Sequence, residues 1–134
     1  MKTALLSVAV LGLAFLIQAQ ESKVERGKYL VEEVGKCGDC HTPKTETGEP
    51  DMNKNLKGAS LAVAPIGTIA KWHKDSPDIT PAGKLWLRWT REGMVDYLIK
   101  GVNPRGGKAD PPMSAYHMKP EDAEAVVSYL ETLK

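Results

Sequence analysis

Cys37-Gly38-Asp39-Cys40-His41 is the stretch on which the reading of this chain turns. It has the C-x-x-C-H form that attaches a c-type haem. Each residue type in that form has a chemical task. Two thiols three residues apart fall on one helical turn, so both can add to vinyl groups of the same porphyrin and hold it by two thioether bonds. The histidine that follows at once lies under the iron and offers a neutral imidazole nitrogen as proximal ligand.

Three plainer readings compete. A thioredoxin-like dithiol requires a nearby βαβ pattern, and none is visible. A zinc site requires four ligands; Cys37 and Cys40 are the only cysteines, and His73 and His117 stand far apart at no finger spacing. A disulfide across two intervening residues closes too small a loop to stabilise much. Haem attachment is the reading that uses every residue of the motif.

The N-terminus places that chemistry in a compartment. Lys2 precedes an uncharged run of fourteen residues, Ala4 to Ile17, and Gln18-Ala19-Gln20 follows. This is the layout of a secretory signal peptide. Cleavage after Ala19 is expected, leaving residues 20–134 as one domain in the periplasm, because bacterial c-type haem is attached outside the cytoplasm. The alternative is a membrane tether formed by an uncleaved N-terminus, although the run falls short of the ~20 residues that span a bilayer. No stable membrane insertion is expected after cleavage.

The chain carries 18 Lys+Arg against 17 Asp+Glu, and loss of Lys2 with the leader makes the mature domain formally neutral. Neutrality argues against a nucleic-acid partner, which selects a basic face. A single Phe in 134 residues signals a limited apolar core, and a buried porphyrin would add apolar surface to it.

Periodicity predicts three main helices. Val24, Gly27, Leu30, Val31 and Val34 form one stripe over residues 22–35, with Ser22 and Glu25 in capping-box positions and Gly35 as the stop. A mid-helix glycine costs about 1 kcal/mol relative to alanine, which points to close approach of another helix at Gly27. A second helix is expected from Trp89-Thr90 to Gly101, with Thr90 as N-cap. The third opens on Pro120 and carries Ala123, Val126, Val127, Leu130 and Leu133 as its stripe. Between Thr42 and Pro81 the prolines and glycines predict turns, with Leu61 to Ile69 as a short hairpin or extended strap.

The sixth ligand of the iron separates an electron carrier from a ligand binder or catalyst. Met1 leaves with the leader, Met52 lies only eleven residues after His41, and Met94 sits on a helix as core. Met113 follows Pro111-Pro112, a stiff and extended setting for a thioether, and is the favoured ligand. Met118, His117 or an open position are the alternatives.

These residues resemble a known family, the single-haem class I cytochromes c, over residues 22–134. Arg26-Gly27-Lys28-Tyr29-Leu30 with Cys37 to Pro43 is similar to that family's N-terminal helix and haem site. Pro77-Asp78-Ile79-Thr80-Pro81 with Trp89-Thr90 resembles an Asn-Ile-Thr-Pro…Trp-Thr pattern of bacterial cytochromes c related to the haem subunits of membrane dehydrogenases. Pro111-Pro112-Met113, Tyr116 and the 121–130 helix resemble its methionine strap and last helix. The chain departs at Asp78, where Asn is usual, at Ala82, where an acid is usual, and at Ser114, where Pro is usual.

The resemblance implies an all-α, cytochrome c-like fold: three main helices with long irregular loops wrapped around one covalent haem. It implies that Gly27 crosses the last helix near Tyr129, and that His41 and Met113 are the axial ligands. The expected function is periplasmic electron transfer between Fe(II) and Fe(III), alone or as the haem subunit of an oxidoreductase. Its partners are then other redox proteins, and the chain by itself is not an enzyme. A haem enzyme or ligand sensor with an open or labile sixth position is the alternative. Trp86, Trp89 and Tyr97 are expected either on the porphyrin or in the core.

Overall fold

The computed structural model describes residues 22–134; the leader expected at residues 1–19 lies outside them. Helix α1 covers residues 22–34, α-helical over 22–29 and widened into a π-turn over Leu30–Val34. The Gly35 N–H donates to Leu30 O, five residues back, at 2.7 Å. Ser22 is the first described residue and is already helical. Lys36 then takes a left-handed conformation (φ 46°, ψ 40°) and turns the chain directly into the short helix α2, Cys37–His41.

The irregular stretch that follows is organised around Leu56, only 1% exposed although its φ is +61°. Its N–H donates to Thr42 Oγ1 at 3.0 Å, and its carbonyl accepts from Ile79 N–H at 3.0 Å. A two-stranded antiparallel ladder pairs β1, Ala59–Ser60, with β2, Asp75–Ser76, in the register Ala59↔Ser76 and Ser60↔Asp75. Of the hairpin or extended strap expected over Leu61 to Ile69, strand pairing occurs only at the flanks, and residues 61–69 carry neither helix nor strand. Pro65 has no N–H to give a ladder, and Gly67 at φ +85° turns the chain between the strands.

Helix α3, Lys84–Lys100, consists of two helical segments that meet at a kink, the second of them starting at the expected Trp89-Thr90. Thr90 interrupts it at φ 58° and ψ 170°, and its Oγ1 accepts from Gly93 N–H at 3.4 Å. Thr90 thus caps the segment that runs to Lys100, as expected, and a further helical segment from Lys84 precedes it. Gly101 ends it in the left-handed region (φ 67°), with its N–H on Tyr97 O at 2.9 Å. Helix α4, Pro120–Leu130, opens on proline as expected and buries Ala123 and every residue from Ala125 to Leu130. Leu133 lies beyond the helix, in a turn that brings its N–H to Leu130 O at 3.1 Å.

Three helices meet at α4. At Gly27 an added Cβ would lie 1.9 Å from Ala125 O and 2.8 Å from Tyr129 Cβ, so α1 and α4 cross backbone to backbone. Helix α3 packs on α4, and Arg91, the first residue after the kink, is bound across that seam. Its guanidinium donates to Glu124 (2.8 and 3.2 Å) and Glu131 (3.2 Å), while Lys23 of α1 reaches Glu124 at 3.1 Å.

The two cations hold the Glu124 carboxyl at about 2, against an ordinary value of 4.5. A carboxyl lowered in the folded state stabilises the fold above its unfolded value, and that contribution disappears as pH falls through its folded value. The thermal midpoint advantage of the wild type over Glu124→Gln is accordingly expected at neutral pH and lost between about pH 4.5 and 2. Melting curves of both proteins across that range check it.

Candidate functional site

His41 closes α2, and its surroundings explain its state. The ring is 5% exposed, and Nδ1 lies 2.8 Å from Pro77 O. A carbonyl can only accept, so the proton sits on Nδ1 and the Nε2 lone pair is bare. Burial lowers the His41 pKa, outweighing the opposing effects of the Pro77 carbonyl and Asp78, so the imidazole is neutral at neutral pH. Among the described residues no hydrogen bond reaches Nε2. A ring held in this way, with one nitrogen engaged and the other open, is suited to bind a metal through Nε2.

The Pro77 carbonyl is itself fixed by the segment around it. Asp78 Oδ1 accepts from Thr80 N–H at 2.8 Å and Thr80 Oγ1 at 2.7 Å, and Thr80 is fully buried. Trp86 Nε1 donates to Ile79 O at 2.8 Å. Both Asp78 contacts use Oδ1, an acceptor that asparagine also has, so the departure from Asn keeps the turn. Pro77 was not singled out in the sequence because several prolines precede α3; the Pro-Asp-Ile-Thr-Pro stretch that holds it was the available signal.

A cavity of about 770 Å³ opens beside α2. Cys37, Cys40, His41 and Met113 all line it, with Leu30, Leu85 and Leu98 among its apolar wall residues. The thiols are not joined to each other. Burial pushes the Cys37 thiol up to about 11, so it is a neutral S–H at neutral pH. Among the described residues no group of three or more His, Cys, Asp or Glu gathers as a metal cluster, and the four-ligand zinc reading has no site there. A single oriented imidazole, two free thiols and a largely apolar hollow of this size fit a covalently held porphyrin.

Three methionines reach the cavity, Met94, Met113 and Met118. Met94 belongs to the hydrophobic core and Met118 packs against it, whereas Met113 is in neither set. Met52 is 67% exposed and does not line the cavity, nor does His117, which is exposed. The expected extended strap is corrected: residues 111–113 form a turn, closed by Met113 N–H on Asp110 O at 3.1 Å. Two prolines stiffen the chain without extending it. Trp89 and Tyr97 line the cavity with ring centroids 4.9 Å apart, while Trp86 points its indole at Ile79 and lies outside the lining.

The cytochrome c family model matches residues 24–134. The chain belongs to the cytochrome c family. It is 37% identical over 112 residues to a diheme cytochrome c-type protein of Cereibacter sphaeroides, covering 80% of this chain and 34% of that protein. It is 34% identical to the gluconate 2-dehydrogenase cytochrome c subunit of Pantoea cypripedii, over 90% of this chain and 28% of that subunit. It is 30% identical to the fructose dehydrogenase cytochrome subunit of Gluconobacter japonicus, over 81% of this chain and 21% of that subunit. The chain thus spans about a third or less of each of these relatives.

The mostly helical fold with one small ladder is a cytochrome c fold, and the chain is an electron-transfer haem protein. The family carries haem c by covalent attachment, and that group supplies one-electron exchange at its iron. Among the described residues no helix is long and apolar enough to cross a membrane.

Proposed function

We propose that this cytochrome c is an exported carrier of a single haem, attached through Cys37 and Cys40 and ligated by His41 and Met113, that relays electrons for a dehydrogenase in the periplasm. The observation that carries the reading is His41: its Nδ1 is engaged by Pro77 O at 2.8 Å, and it lines one cavity with both thiols and Met113. In this arrangement the Pro77 carbonyl orients the imidazole, and the apolar wall keeps water from the ligand nitrogen. A thioether from Met113 would raise the reduction potential.

A single haem is favoured by the presence of one C-x-x-C-H motif and two cysteines in the whole chain, even though one relative is named diheme. The dehydrogenase partner is drawn from relatives named as dehydrogenase cytochrome subunits, and export from the N-terminal run and the compartment of haem attachment. Weak docking of another redox protein suits repeated exchange.

Intact mass of protein expressed with a periplasmic haem-attachment system tests the reading. The expected mass is the chain from residue 20 plus one haem, with the haem retained after denaturation. Cys37→Ala and Cys40→Ala each lose one thioether, and the double variant loses all covalent haem. A wild-type protein whose mass contains no haem would overturn the attachment.

A further inference from the structure

Leu61 and His73 both line the cavity, and residues 62–72 between them do not. The loop is rooted at that rim by Leu61 N–H on Lys74 O at 2.7 Å and His73 N–H on Pro111 O at 2.8 Å. Beyond the root it carries apolar side chains into solvent. Ile66 is fully exposed, at 103%, and Val63 and Ile69 are 56% and 43% exposed. Even a Cβ added at Gly67, the turn of the loop, would meet nothing within 4 Å. Leaving aliphatic surface in water forgoes the stabilisation that burial gives. Concentrated in one loop, it marks a contact with a partner or a membrane.

The charges around this tip have one sign. Residues 57–74 contain Lys57, Lys71 and Lys74 and no Asp or Glu. Lys71 and Lys74 are exposed, and among the described residues no ion pair involves either. The acids at the root are engaged elsewhere: Asp75 accepts from the Ser60 hydroxyl, and Asp110 faces His73 Nε2 at 3.3 Å. Lys71 turns the chain at φ +60°, and the return limb passes from Ile69 through half-buried Trp72 to Lys74. Aliphatic tip, tryptophan and lysines in that order match the layers of a lipid surface, where rings sit at headgroup level and cations meet anionic headgroups. A protein partner would have to offer a pocket shaped to a protruding tip. Lipid admits one without a preformed pocket.

We propose that the 61–74 loop docks this protein reversibly on an anionic lipid surface, with Val63, Ile66 and Ile69 entering the headgroup layer and Lys71 and Lys74 facing the phosphates. The contact lies on the membrane and does not span it. It rests on the export reading above, which brings the chain to the outer face of the cytoplasmic membrane, and not on the haem. Because Leu61 and His73 belong to both the loop root and the cavity wall, docking holds the cavity close to the lipid.

The test is co-sedimentation of the mature protein with vesicles of phosphatidylglycerol mixed into phosphatidylcholine, and with vesicles of phosphatidylcholine alone. Bound protein is read on a gel, so the result does not depend on haem content. The wild type is expected to sediment with the anionic vesicles and to be released by high salt. Lys71→Gln and Lys74→Gln each weaken partitioning about fivefold, and Ile66→Ser about tenfold. Lys28→Gln, which removes an exposed charge from α1, leaves it unchanged. All four positions are exposed, so the variants keep the wild-type melting temperature and visible spectrum. A wild type that sediments with neither vesicle would overturn the proposal and leave a protein as the occupant of the loop. Equal sedimentation of the wild type and Ile66→Ser, or a loss in Lys28→Gln as large as in Lys71→Gln, would overturn it as well. Vesicle binding by a wild type whose mass contains no haem would uphold the loop and overturn only the haem attachment.

Discussion

Gly27→Ala is expected to lower the stability of the folded protein by about 2 kcal/mol. The new methyl group would lie 1.9 Å from the carbonyl oxygen of Ala125 and 2.5 Å from its carbon. Both are main-chain atoms, so no side-chain rotation relieves the clash and α1 must move away from α4. Overpacking of this kind costs roughly 1–3 kcal/mol and occasionally more. Better helix propensity returns up to about 1 kcal/mol, so a main-chain clash at the top of that range leaves a net loss of about 2 kcal/mol. Denaturant titration of wild type and variant, both with haem, checks the value. The displacement would also disturb the bond from the Tyr129 hydroxyl to Glu32, since Tyr129 Cβ is the third close neighbour of the glycine.

Met113→Ala is expected to abolish the far-red sulfur-to-iron band and to lower the reduction potential, while Met118→Ala keeps the band. The contrast follows from packing. Met118 is set against the hydrophobic core with its N–H on Leu98 O at 2.9 Å, and Met94 is part of that core. A thioether committed to apolar neighbours contributes to stability, and its loss acts there. Met113 lines the cavity from a turn and lies outside the core. Far-red absorption and a redox titration separate the two variants. Loss of the band in Met118→Ala with its survival in Met113→Ala would exchange their roles.

What was legible in the sequence was local. Helix α4 announces itself through Pro120, the acids behind it and an unbroken apolar stripe, and its start lies where those residues require. The C-x-x-C-H motif is equally local, since one helical turn contains all of it. Gly27 was legible as a crossing because a glycine inside a helix costs stability unless something approaches it.

Features set by tertiary contact were not legible. The segment of α3 before Thr90 lacks a clean stripe, with Leu85 buried and Leu87 exposed, so periodicity does not reveal it. Thr90 signals a cap, and it is one, but helix already precedes it. Pro111 and Pro112 stiffen the Met113 segment, yet the direction of the turn depends on contacts such as His73 N–H on Pro111 O at 2.8 Å. The acceptor for His41 comes from a carbonyl thirty-six residues away, a distance over which sequence pattern carries no geometry.

The visible spectrum of the purified wild-type protein in both redox states tests the His41–Met113 centre most directly. The account predicts a red protein whose oxidised form is low-spin with the far-red sulfur-to-iron band, and whose spectrum does not change promptly on adding carbon monoxide to the reduced form. A high-spin oxidised spectrum without that band, together with rapid carbon monoxide binding, would contradict it.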